Sequence, residues 1–148
     1  MARIYREMPL NSIWEGAGNI MALDLLRALR KRAGGTGTGT GSDVVQALAA
    51  ELALTSGAHP LLDHRTDALL AQLAGADDTA FEEVNARRLA QDVALVMQAS
   101  LLRRHAPDFV FEAFCRSRLD SVNSAGLAFG TLPSSVAFDA ILQRAMPV

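Results

Sequence analysis

Residues 79–104 read TAFEEVNARRLAQDVALVMQASLLRR. The stretch opens as a capping box, with Thr79 at the N-cap and Glu82 three residues on. That pairing predicts a helix from Thr79 to about Arg104. Its first half is polar, and Val93 to Leu102 is almost wholly apolar, broken only by Gln98 and Ser100. A helix apolar on every side is a buried one, so this second half is expected to be the most buried segment of the chain. It is far short of a membrane span.

The flanks follow the same period. Downstream, Pro107 starts a predicted helix through about Leu119, with Phe109, Val110, Phe111, Phe114 and Cys115 available for a core. NSAGLAFGTLPSS (123–135) reads as a loop, and Ser134 or Ser135 caps a last helix carrying Val136, Phe138, Ile141 and Leu142. Upstream, Leu61, Leu62, Leu69, Leu70 and Leu73 mark a helix over about Pro60–Leu73, ended by Gly75. Ser42 or Asp43 caps another through about Ser56, with Val45, Leu48, Ala49 and Leu52 on one face and Gly57 as its stop.

Before these lies AGGTGTGTGSD (33–43), which cannot bury apolar surface and reads as a flexible linker. A phosphate-binding loop would need a following Gly-Lys-Ser/Thr and a preceding strand, and neither is present. Ahead of the linker, Ile20, Leu23, Leu26 and Leu29 predict a helix from Asn19 to about Arg32, with Arg27, Arg30, Lys31 and Arg32 near its carboxy-terminal end, where cations suit the helix dipole. Residues 2–11 hold no period, and Pro9 interrupts any helix there. No stretch alternates as a strand does, so the class is all-α.

Composition agrees. Half of the 148 residues are apolar and 20% are charged, as in a globular chain. A formal net charge of −2 selects no partner, but its distribution is uneven: basic ends flank an acidic middle, leaving room for a local basic patch. Cys115 is the single cysteine, which excludes an internal disulfide. With no signal peptide at the amino terminus and no membrane span, a cytoplasmic protein is expected.

One short stretch carries chemistry. In NSIWEGAGN (11–19), Ser12 and Glu15 fit a capping box, which makes Glu15 a helix cap. Gly16 and Gly18 would then fall in the first turn, where glycine costs up to about 1 kcal/mol each relative to alanine. Two glycines beside a carboxylate also suit a backbone passing close to a ligand. From these residues alone the two readings stand even.

The wider stretch RIYREMPLNSIWEGAGNIMALDLLRAL (3–29) resembles the carboxy-terminal part of flavin-dependent acyl-CoA dehydrogenases. That family carries Arg-Asp/Glu, five residues, then Ile-Tyr-Glu-Gly-Thr, followed by a helix. The Asn-Ser-Ile-Trp-Glu-Gly form is similar to the AidB-like branch, associated with the response to DNA alkylation. SGAHPLLD (56–63), RRLAQDVALVMQASLLRRHAP (87–107), AFCRSRL (113–119) and FGTLPSS (129–135) resemble that branch's extra helical domain, in order. The resemblance therefore divides the chain into the end of the dehydrogenase helical domain (1–33, with one helix of its bundle), the linker (34–42) and an AidB-like carboxy-terminal helical domain (43–148).

The resemblance also implies roles. Glu15 stands at the catalytic carboxylate, which takes the α-proton of an acyl-CoA thioester while the β-hydride passes to FAD. Such a base works best when desolvation raises its pKa, and Trp14 is a suitable wall. Gly16 matches the glycine beside the flavin. Ala17 departs from the pattern, because the usual threonine hydroxyl is missing. Met1 matches an internal position of the branch, and the upstream domains with their flavin-binding Gly-Gly-x-Gly-Tyr loop have no counterpart here, so the expectation is a carboxy-terminal fragment that is inactive alone. The helix at 19–32 must fold back on residues 43–148 or pair with another copy, and a homo-oligomer is expected.

DNA binding in the parent is also implied by the resemblance. Arg103, Arg104, Arg116 and Arg118 could meet phosphates, but dipole complementing and pairing with acids such as Asp108, Glu112 and Asp120 is the favoured account, since the chain is not basic. The other class of reading is a helical module for oligomerisation or nucleic-acid contact, without catalysis. His59, His64 and His105 lack metal-ligand spacing with Cys115 or one another, so no metal is expected. Cys115 reads as a small core residue, and no nucleophile elbow is present.

Overall fold

The computed structural model describes residues 2–12, 18–30, 41–74, 82–120 and 136–146. Seven α-helices run through them: α1 (Ala2–Glu7), α2 (Asn19–Arg30), α3 (Gly41–Ala53), α4 (Pro60–Ala74), α5 (Ala86–His105), α6 (Asp108–Phe114) and α7 (Phe138–Ala145). A 3-10 turn, Met8–Ser12, follows α1, and another, Glu83–Asn85, precedes α5. A π turn, Cys115–Leu119, extends α6. No strand occurs among the described residues, and the all-α class holds.

The longest helix, α5, is the centre of the packing. Helices α2, α3, α4 and α6 and the π turn all contact it. Its buried residues Ala86, Leu89, Val96, Ala99 and Ser100 recur at helical spacing and form one face. Leu26 of α2, Leu62 and Leu69 of α4, and Cys115 and Leu119 of the π turn join the same core. The expectation of burial on every side from Val93 to Leu102 is corrected in part: Leu101 is 43% exposed, because the packing helices gather on one side of α5.

The start of α5 also differs from the sequence reading. Glu82 is extended (φ −67°, ψ 145°) and starts the 3-10 turn rather than occupying the third position of a helix. Glu82, Glu83 and Val84 are exposed. Without a buried face to stabilise it, a helical turn there gains little, and α5 begins where Ala86 and Leu89 first find partners. Thr79 lies outside the described residues, as do Gly75 and the expected caps Ser134 and Ser135.

At the other end of the chain, Ala2–Glu7 is helical although no period announced it, and Pro9 falls in the 3-10 turn that follows. The linker assigned to 34–42 lies outside the described residues except for Gly41 and Ser42, which open α3. Of the apolar residues expected to seat the last helix, Val136 is buried, whereas Phe138 and Leu142 are 43% and 63% exposed.

Candidate functional site

Ile13 to Ala17 lie outside the described residues, and with them Glu15, Gly16 and Ala17. The backbone leaving that segment is described. Gly18 has φ +68°, a conformation that costs an L-residue roughly 1–2 kcal/mol. A Cβ there would also meet Arg87 Nη1 at 3.0 Å. Arg87 Nη1 donates to Asn19 Oδ1 at 3.0 Å, and the Ala22 N–H donates to the Gly18 carbonyl at 3.1 Å. Thus the first turn of α5 holds the entry to α2, three residues after Glu15. Beside this contact is a groove of about 340 Å³ whose lining includes Asn19, Leu23, Glu83, Val84 and Arg87.

Of the arginines expected to face phosphate, Arg103 and Arg104 lie in the last turn of α5 and Arg116 and Arg118 lie in the π turn, and most are engaged. Arg103 Nη1 donates to Asp108 at 2.6 Å, and its guanidinium lies 5.7 Å from the centre of the Phe111 ring. Arg104 pairs with Glu51 of α3. Arg116 Nε donates to Glu112 at 2.6 Å, one turn back on the same helical run. Arg118 forms no ion pair with a described residue.

His59 was missed as anything but a scattered histidine, yet it ties two helices together. Its Nδ1 accepts the Leu61 N–H at 3.1 Å, covering one of the free amides at the start of α4. With Nδ1 an acceptor, the neutral ring carries its proton on Nε2, which faces Glu112 Oε2 of α6 at 3.3 Å. The ring also stands edge-on to Phe111 at 5.8 Å. Pro60 follows as the first residue of α4, and Asp63 reaches back to accept the Gly57 N–H at 2.9 Å. Gly57 itself has φ +78°. The stretch 56–63 is therefore a helix-capping device. The legible signal was His-Pro, with a carboxylate three residues beyond the proline and a glycine before it.

Cys115 is fully buried in the core, and burial, with Glu112 nearby, pushes its thiol up from 9.0 to about 12. It is a packing residue and a poor nucleophile. Among the described residues no three His, Cys, Asp or Glu side chains are placed to hold a metal ion. No described helix is long and apolar enough to cross a membrane.

The candidate cofactor residues Gly16 and Ala17 lie outside the described residues; beside them, Arg87 stands over Gly18 and lines the groove of about 340 Å³. What the described residues define is an all-α helical assembly with a clamped helix entry. Over 34 residues the chain is 71% identical to AidB of Escherichia coli (strain K12), named as an acyl-CoA dehydrogenase; that stretch is 23% of this chain and 6% of AidB. The resemblance to an AidB-like acyl-CoA dehydrogenase read from the sequence is thus shown over this stretch. No family model matches the chain, and no solved structure matches it.

Proposed function

We propose that this chain is a carboxy-terminal portion of an AidB-like, flavin-dependent acyl-CoA dehydrogenase, with Glu15 as the base that takes the α-proton of an acyl-CoA thioester in the parent. The 71% identity to AidB over 34 residues carries the reading. The Arg87–Asn19 contact supports it, because a base needs a fixed approach and the backbone after Glu15 is anchored to α5. FAD belongs to the parent, with Gly16 and Ala17 beside it, and the chain alone is inactive. Residues 1–33 end the dehydrogenase domain, 34–42 link, and 43–148 form the AidB-like helical domain. The parent is cytoplasmic.

Two partners complete the reading. Exposed Ile4, Tyr5, Met8, Ile20 and Met21 leave apolar surface at the amino-terminal end, which supports a homo-oligomer. DNA contact in the parent rests on the resemblance. Arg118 is available for a phosphate, while Arg103, Arg104 and Arg116 would have to exchange carboxylates for phosphates.

The test is to express the reading frame extended upstream of Met1, and to compare it with this chain. The extended protein should retain flavin through gel filtration and lose its yellow colour on addition of an acyl-CoA. Glu15→Gln should keep the flavin and stop the bleaching. Bleaching at an unchanged rate in Glu15→Gln would reduce Glu15 to a helix cap.

A further inference from the structure

A second cleft lies between α4, α5 and the π turn, with a volume of about 400 Å³. We propose that it binds a small amphipathic monoanion, a single anionic group on an apolar body. The proposal is independent of the role of Glu15.

The cleft has the size of a ligand site, which typically spans about 300–1,000 Å³. Its floor is apolar: Leu69 of α4, Val96 of α5 and Leu119 of the π turn are buried, and Leu95 is half-buried beside them. Its rim carries two cations from different helices, Arg65 of α4 and Arg88 of α5.

Each guanidinium is set up to receive an anion. Arg65 is half-buried, and its Nε donates to the Leu119 carbonyl at 3.3 Å. That bond orients the planar group and leaves its terminal nitrogens with no partner among the described residues. Arg88 has neither a hydrogen bond nor an ion pair among the described residues. Several other arginines among the described residues pair with carboxylates, as at Arg27–Asp24, Arg103–Asp108 and Arg116–Glu112. Two unpaired forks over an apolar floor suit a carboxylate or phosphate head with a hydrocarbon body.

Asp92 sets the ligand charge. It also lines the cleft, one turn beyond Arg88, and makes no ion pair with a described residue. The charged lining is thus positive by a single unit, which favours one negative charge over two.

The experiment is a titration of the isotope-labelled whole chain with octanoate, followed by backbone amide shifts. Octanoate should give saturable shifts at Leu69, Arg88 and Leu119. Octanol should bind about tenfold more weakly, the equivalent of about 1.4 kcal/mol, and octylammonium should give no saturable shift. Arg88→Gln, at an exposed position, should keep the fold by circular dichroism and weaken octanoate about tenfold. Ala68→Trp, also exposed and on the rim, should fill the cleft and abolish binding. Octanol binding as tightly as octanoate, an unchanged octanoate affinity in folded Arg88→Gln, or shifts confined to other surfaces would overturn the proposal.

Discussion

The amino-terminal arm and the middle of α5 are both rich in apolar residues, and their fates are opposite. In the arm, Ile4 is 59% exposed, Tyr5 81% and Met8 57%, and α1 has no buried residue. In α5, Val96, Ala99 and Ser100 are at most 2% exposed, and the last of these is polar. The difference lies in neighbours. Ser100 is enclosed because α3 and α4 are joined across it, and its hydroxyl meets Thr55 at 3.1 Å. Tyr5 lies on α1, whose chief packing partner among the described residues is the short 3-10 turn that follows it. Apolar composition sets what a segment gains by burial, and the arrangement of other segments decides whether it is buried.

That contrast can be broken or sharpened by mutation. Leu89→Ala removes a core side chain of α5 that is 1% exposed, and should destabilise the chain by about 2–5 kcal/mol in urea unfolding. A loss below about 0.5 kcal/mol would mean that this core does not close around α5 in solution.

Cys115 tests the same core chemically. Its alkylation near pH 8 should be slowed at least about a hundredfold in the folded chain relative to the unfolded one, since reaction must await opening. The pH dependence has a definite sign. The folded thiol is raised from 9.0 to about 12 by burial, then by Glu112, so its neutral form is favoured in the fold. Stability is unaffected below the unfolded value and falls as pH rises from 9.0 toward about 12. Cys115→Ala should flatten that part of the profile.

A smaller effect is expected at the buried hydroxyl pair. The Thr55 hydroxyl donates to the Leu52 carbonyl at 3.2 Å and shares its other hydrogen bond with Ser100. Thr55→Val strands the Ser100 hydroxyl and should cost about 1–3 kcal/mol. Adding Ser100→Ala should restore part of that loss, measured as coupling in a double-mutant cycle. At the other extreme, Tyr5→Ala should change thermal stability by no more than about 0.5 kcal/mol. A larger loss in Tyr5→Ala that depends on protein concentration would reveal the arm as an interface.

The same contrast explains what the sequence disclosed. The helices around the core were legible because Leu23, Leu26 and Leu29, and likewise Leu62, Leu69 and Leu73, recur at helical spacing. Ala2–Glu7 was not, since a helix that buries nothing needs no period. The start of α5 was misplaced because a capping box is a local signal, and tertiary packing set the boundary at Ala86. His59 escaped notice because its partner Glu112 is distant in sequence, and single residues carry no period. The candidate base was legible only through resemblance, and Arg65 with Arg88 only through the fold, which brings α4 and α5 together.

The π turn sets a constraint on chain length. Loops between helices commonly absorb an insertion or deletion. Residues 115–119 cannot do so cheaply, because the turn already holds more residues per rotation than an α-helix. Deleting one residue there would return the run to α-helical winding and shift the place of Leu119 by a fraction of a turn. That shift would strain the packing of Leu119 and the bond from Arg65 to its carbonyl. Length variants of this chain should therefore accumulate between the helices and spare this turn.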